Sequence, residues 1–282
     1  MKYECHGHIA ADGVSYARAM ARHANGADEA SLRASLAAVA ARGVTYYRDG
    51  GDKLGVSEYA KKLAPEYGIE YRTPLFILHK KGFYGQLYGI AYGDMREYAS
   101  IVRTLPARGA DFVKITVSGM LDFAGDGGVL GDATERGELA ELVNIAHGEG
   151  LRVMAHCNGA ENIKNALRSG VDSLEHGFWA DREAVDLLCE TGAVWVPTCA
   201  AVSNLVGEGR YGDAALTAIL NRHGDMLRYA AARGALIASG SDCGAYRVLQ
   251  GVGTDDEYAA LRRLDIDPQR GNEAVATRFV RG

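Results

Sequence analysis

Six side chains able to bind a divalent cation, His6, His8, Lys114, His156, His176 and Asp242, each stand at the end of an apolar, strand-like run. The run Tyr3-Glu4-Cys5-His6-Gly7-His8-Ile9 sets two imidazoles at i and i+2. A strand points alternate side chains to one face, so both can grip the same ion, whereas a helix would turn them apart. The glycine between them permits a close approach. Imidazole and carboxylate ligands suit zinc, with manganese and iron open. An ammonium cannot ligate a cation, so a lysine in this set must be a free amine or carry an added carboxylate. Lys114 lies inside Phe-Val-Lys-Ile-Thr-Val, where a parallel strand is normally apolar and a lone charge is costly. Any one of these histidines alone reads as structural or surface. Their recurrence at successive strand ends is what singles them out. Asp242 has a plainer role open to it, capping the helix after its strand.

Eight short β-rich runs position these residues: Tyr3 to Ile9, Val44 to Arg48, Tyr71 to His79, Phe112 to Ser118, Arg152 to Cys157, Ser173 to His176, Val194 to Cys199, and Leu236 to Ser241. Between them, Ala27 to Arg42, Arg96 to Ala107, Arg136 to Glu149, Ala160 to Ser169, Arg182 to Thr191 and Ala214 to Arg233 carry apolar residues at helical spacing. Several of these segments end in a glycine just before the next strand, as a helix C-cap does. Alternating strands and helices imply parallel pairing by helical crossovers. An open doubly wound sheet would show the same joints, but eight strands favour closure into a (β/α)8 TIM barrel. The 282 residues then form a single domain, close to the roughly 250 residues such barrels use. In that fold functional groups collect at the C-terminal strand ends, where the six residues fall. Two irregular stretches, Lys80 to Asp94 and Leu121 to Asp132, are candidate lids or substrate walls.

Hydrophobic residues at 48% and charged residues at 24% fit a globular protein with ample core. The net charge of −5 and the scattered lysines and arginines argue against nucleic acid or an anionic membrane as partner. The N-terminal residues lack the apolar core of a signal peptide, and no stretch reaches the roughly eighteen apolar residues of a membrane span. Five cysteines, an odd number without disulfide or CxxC spacing, fit a reducing compartment. The expectation is a cytoplasmic protein acting on a small-molecule substrate, with a homo-oligomer left open.

His-X-His, a lysine on the fourth strand, two later histidines and a late aspartate, in that order, resemble the amidohydrolase superfamily over nearly the whole chain. The runs Val44-Thr45-Tyr46-Tyr47-Arg48-Asp49-Gly50, Val113-Lys114-Ile115 and Ser173-Leu174-Glu175-His176-Gly177 are most similar to its branch of Xaa-Pro dipeptidases and imidazolonepropionase-like enzymes. The resemblance implies a binuclear centre in which a carbamate on Lys114 bridges two metal ions. His6, His8 and Asp242 would hold the more buried ion, and His156 and His176 the more exposed one. It implies a hydrolase for an amide-type C–N bond, in a dipeptide, an N-acyl amino acid or a cyclic amide, with Asp242 as proton carrier. The same centre would serve an ester, lactone or phosphotriester hydrolase, and a non-catalytic metal-binding barrel is the reading from another class. Deamination fits less well, since deaminases of the superfamily usually keep one metal and lack the lysine. Most relatives of this branch add a β-sandwich built from both termini. Here the first strand begins near Met1 and about forty residues follow Asp242, so a barrel-only or shortened form is expected.

Second-tier candidates follow from position alone. Asp49 is placed to orient a ligand histidine or to pair with Arg48. His79 ends the third strand and is a candidate substrate contact, with Lys80 and Lys81 favouring an exposed turn as readily. Tyr84, Tyr88 and Tyr92 are candidates for the pocket mouth. Arg210, Tyr211 and Arg247, in loops after the seventh and eighth strands, are candidates for holding a substrate carboxylate. Asn158 is well placed without a role, and His23, His147 and His223 have none.

Overall fold

Every ladder between strands is parallel, as the alternation of short apolar runs with amphipathic segments predicts. The computed structural model describes residues 1–123 and 128–280. Its strands are β1 (Lys2–Gly7), β2 (Val44–Asp49), β3 (Glu70–Arg72), β4 (Ile77–Lys80), β5 (Gly89–Tyr92), β6 (Val113–Thr116), β7 (Val153–Cys157), β8 (Ser173–His176) and β9 (Val194–Val196). They form two arcs, one ordered β1-β2-β3 and one ordered β5-β4-β6-β7-β8-β9.

Two junctions join the arcs into a TIM-barrel wall. At the first, the segment after helix Asp213–Ala232 bonds on both sides. The Trp195 amide donates to Leu236 O at 2.8 Å and Ala238 N to Trp195 O at 2.9 Å, while Cys5 N donates to Ser239 O and Asp242 N to His6 O, each at 2.8 Å. This is the eighth strand read from the sequence, reduced to single bridges such as Trp195 to Ile237. At the second junction, the third strand is two strands rather than the single run Tyr71 to His79. β3 pairs with β2 and β4 with β6. Pro74 explains the break, since it has no N–H for a ladder, and Leu75 follows it at φ 69°. The stretch Lys80 to Asp94, expected to be loop throughout, contains β5, which pairs with β4.

The helices follow the apolar spacing closely. Met95–Arg108, for example, is capped by the Asp94 carboxylate, which accepts from Glu97 N. It ends at Gly109, whose φ of 87° lets its N–H reach back to the Leu105 and Pro106 carbonyls. Alternation along the strands then sorts side chains. Val113, Ile115, Val153 and Ala155 pack outward against the helices. Met154 packs with Cys5, Tyr46, Phe112 and Val194 in a second cluster that includes Phe279, just past helix Gln269–Arg278. Lys114, between two outward residues, points the other way. Among the described residues no helix is long and apolar enough to cross a membrane.

Candidate active site

All six candidate ligands line one cavity of about 540 Å³. His6 lies one residue before the end of β1 with its ring 1% exposed, and His8 is the first residue past that strand. Their Nε2 atoms each lie 3.6 Å from Asp242 Oδ1. One atom from each of these three residues falls within 4.8 Å of the others, close enough to share one cation. His156 and His176 stand beside them on β7 and β8, with ring centroids 4.4 Å apart and the His176 ring 4.9 Å from that of His6. His176 and Asp242 have φ of 66° and 60°. Left-handed backbone is rare for such residues and is found where a site needs a particular aim. Here it turns both side chains into the cavity.

The second nitrogen of three of the imidazoles has a partner of its own. His6 Nδ1 lies 2.7 Å from Glu175 Oε2, His176 Nδ1 lies 2.8 Å from Thr198 Oγ1, and His156 Nε2 lies 3.2 Å from Gly119 O. Such partners fix ring orientation and leave the other nitrogen for an ion. Burial holds all four rings in the neutral, ligating form: His8 and His156 are lowered to about 3, and His6 and His176 well below the usual imidazole value, with the Lys114 charge adding to the effect.

Lys114 is 2% exposed, and its Nζ has no hydrogen-bond partner among the described residues. Burial lowers its pKa, which favours the free amine. Burial likewise raises Asp242 above the usual carboxylate range. Neutral imidazoles and a carboxylate form a donor set that fits a divalent cation, with His6, His8 and Asp242 grouped closely enough to share one. With no metal, Lys114 would be a strand-interior cation whose desolvation the Glu175, Asp242 and Asp49 carboxylates only partly offset.

Of the second-tier residues, Tyr84, Arg210 and Tyr211 line the cavity. The Tyr84 ring lies 4.9 Å from that of His156, and its carbonyl accepts from Thr116 Oγ1. The Arg210 guanidinium lies over the Tyr211 and Tyr246 rings. Tyr88 lines the cavity too, whereas Tyr92 is buried against Tyr98. Three expectations need correcting. His79 is buried instead of exposed or facing substrate, because Gly85 and Gly89 bring the following loop down on its ring. Arg247 is outside the lining and pairs with Glu208. Among the described residues Asp49 neither pairs with Arg48 nor orients a histidine, because Ile9 N and Gly51 N donate to its carboxylate. Burial pushes Asp49 up to about 6.

Glu175 takes the role expected of Asp49, and Arg48 pairs with Glu175 at 2.8 Å. Asn158 bridges loops, with Oδ1 accepting from Phe178 N and Nδ2 donating to Gly119 O. His223 is buried with its ring 4.0 Å from that of Phe178, a packing role. Of the stretch Leu121 to Asp132, residues Leu121 and Phe123 line the cavity, and 124–127 lie outside the described residues.

No family model matches the chain. An uncharacterized protein of Mycobacterium tuberculosis is 33% identical over 160 residues, covering 50% of this chain and 42% of its own length. Ochratoxinase from Aspergillus niger is 27% identical over 217 residues, covering 75% of this chain and 42% of its own. The chain thus spans less than half the length of the curated relatives it matches. Among solved structures, a Xaa-Pro dipeptidase with methionine bound in the active site superposes with a TM-score of 0.78 at 23% identity, over 99% of this chain and 74% of that one. The A. niger ochratoxinase structure superposes with a TM-score of 0.77 at 22% identity, over 99% and 71%.

Proposed function

We propose that this chain is a member of the amidohydrolase superfamily, on its dipeptidase-like branch, and a two-metal hydrolase of an amide-type C–N bond. Lys114 carries the reading: a buried amine without a hydrogen-bond partner, amid four neutral histidines and a carboxylate. His6, His8 and Asp242 would hold one ion, and His156 and His176 the other. Lys114 would stand between them as a carbamate, formed when its free amine adds carbon dioxide and releases a proton. When bound, two divalent ions supply an ionised water at neutral pH and polarise the scissile carbonyl. Asp242, reached by the His6 and His8 imidazoles, takes the proton of the attacking water on its carboxylate and hands it to the leaving nitrogen. Leu121, Phe123, Phe178, Val202 and Leu205 form an apolar wall that excludes water and suits a bulky substituent on the substrate. Arg210 and Tyr211, on that side of the cavity, are placed to meet a substrate carboxylate.

Elemental analysis of protein prepared without chelator, parent beside Lys114→Ala, tests the proposal together with a panel of N-acyl amino acids, dipeptides, lactones and phosphotriesters. Two metals per chain, a clear loss in the variant and amide turnover are expected. One metal unaffected by the substitution would rule out the bridged centre. Turnover of esters without amides would move the activity to the second class of substrate, and bound metal without any turnover would favour a metal-binding barrel.

A further inference from the structure

His8 is the exception among the four histidines. Its Nε2 faces Asp242, but its buried Nδ1 makes no hydrogen bond of normal geometry among the described residues, and the Gly51 backbone acts on the ring only as a looser partner. The Glu175, Thr198 and Gly119 oxygens meet the other three rings at 2.7–3.2 Å, and the Gly51 backbone makes no such close contact with this one. An imidazole rotates about two side-chain bonds, so a loose backbone contact alone leaves its plane weakly defined. Two groups press on it. The Tyr88 ring stacks on the His8 ring at 4.6 Å between centroids with only 12° between the planes. The Gly50 backbone is so close that a Cβ there would overlap His8 Cε1 and lie 2.8 Å from Nε2.

Tyr88 is itself held. The edge of its ring meets Tyr16 at 5.2 Å and 89°. Its loop is pinned by the Tyr16 hydroxyl on Leu87 O, by Lys53 Nζ on Gln86 O at 2.7 Å, and by Thr116 Oγ1 on Tyr84 O at 2.6 Å. We propose that Tyr88 is a positioning residue for His8, its ring fixing the imidazole by stacking where the other ligands use a hydrogen bond. The role rests on His8 being a metal ligand, as proposed above. It belongs to the ring of Tyr88 and not to its hydroxyl, and Gly50 is required small for the same purpose.

Chelator-competition titration of zinc into metal-free parent, Tyr88→Phe, Tyr88→Leu and Gly50→Ala tests this, with the cobalt(II) absorption spectrum as a second readout of ligand geometry. Tyr88→Phe is expected to bind zinc as the parent does. Tyr88→Leu and Gly50→Ala should weaken one of the two sites about 10–100-fold, as loss of an orienting partner does, and alter the cobalt spectrum. Parent-like affinity and spectrum in Tyr88→Leu would overturn the role, as would equal losses in Tyr88→Phe and Tyr88→Leu, which would give the role to the hydroxyl. If Tyr88→Leu does not fold, Tyr88→Met, which keeps most of the volume without the ring, decides by the same two measurements. A parent protein that binds no metal would instead remove the proposed function.

Discussion

Glu175 touches His6 through one carboxylate oxygen, Oε2 at 2.7 Å from Nδ1, while its other oxygen meets Arg48 at 2.8 Å. Both side chains of the ion pair are wholly buried. Arg48 also donates to Cys5 O and Ser173 Oγ, so one guanidinium ties β1, β2 and β8 together beneath the candidate ligands. The pair serves stability and ligand orientation at once.

Glu175→Gln and Glu175→Ala separate those two contributions. Removing the carboxylate leaves the Arg48 charge buried and unpaired, which costs about 3–5 kcal/mol in Glu175→Ala by denaturant melts. Glu175→Gln retains the shape, and its effect is expected chiefly on metal affinity at the His6 site, lower by about 10–100-fold in titration. Affinity unchanged in both variants would show that His6 needs no orienting partner.

Gly7, between His6 and His8, has no room for a side chain. A Cβ there would overlap the Tyr47 hydroxyl and lie 2.7 Å from Cys243 Sγ, two groups that contact each other at 3.2 Å. Gly7→Ala is expected to destabilise by about 1–3 kcal/mol through overpacking. Urea unfolding of the variant measures this, and a midpoint equal to the parent's would mean the wall yields at no cost.

Glu257 gives stability a pH dependence remote from the candidate ligands. Its Oε2 accepts from Ala200 N at 2.7 Å, and burial pushes its carboxyl from an ordinary 4.5 up to about 8. Between these values the unfolded chain has released a proton that the folded chain keeps. Stability therefore falls as pH rises through this window, by up to about 1.4 kcal/mol per pH unit, and is fully present only below the lower value. In Glu257→Gln that slope is absent, so the variant gains on the parent between pH 5 and pH 8 in paired guanidinium melts. Parallel slopes for the two proteins would refute the assignment.

Alternation and strand ends made much of this site legible in the sequence, and two rules of thumb hid the rest. Lys114 stood out because a charge inside an apolar parallel strand is costly, and the same argument applied to Arg48 and Glu175 would have found the pair. Alternation by itself turns the neighbour of His176 away from the site, which hides Glu175. The left-handed backbone of His176 breaks that alternation and brings both side chains inward. A place near a strand end, which singles out Asp49, His79 and Arg247, does not reveal the backbone amides, glycines and acidic neighbour that engage them. The split third strand was foreshadowed by Pro74, whose missing N–H interrupts any ladder.

The division of the wall into two arcs also divides the candidate ligands. His6 and His8 belong to the three-stranded arc, Lys114, His156 and His176 to the six-stranded arc, and Asp242 to the segment that joins them. An ion gripped from both sides would act as a rivet across the seam, and separating the arcs would mean drawing it. Resistance to unfolding and capacity for chemistry would then share a single fastening, so that a chelator loosens the barrel as it silences the site.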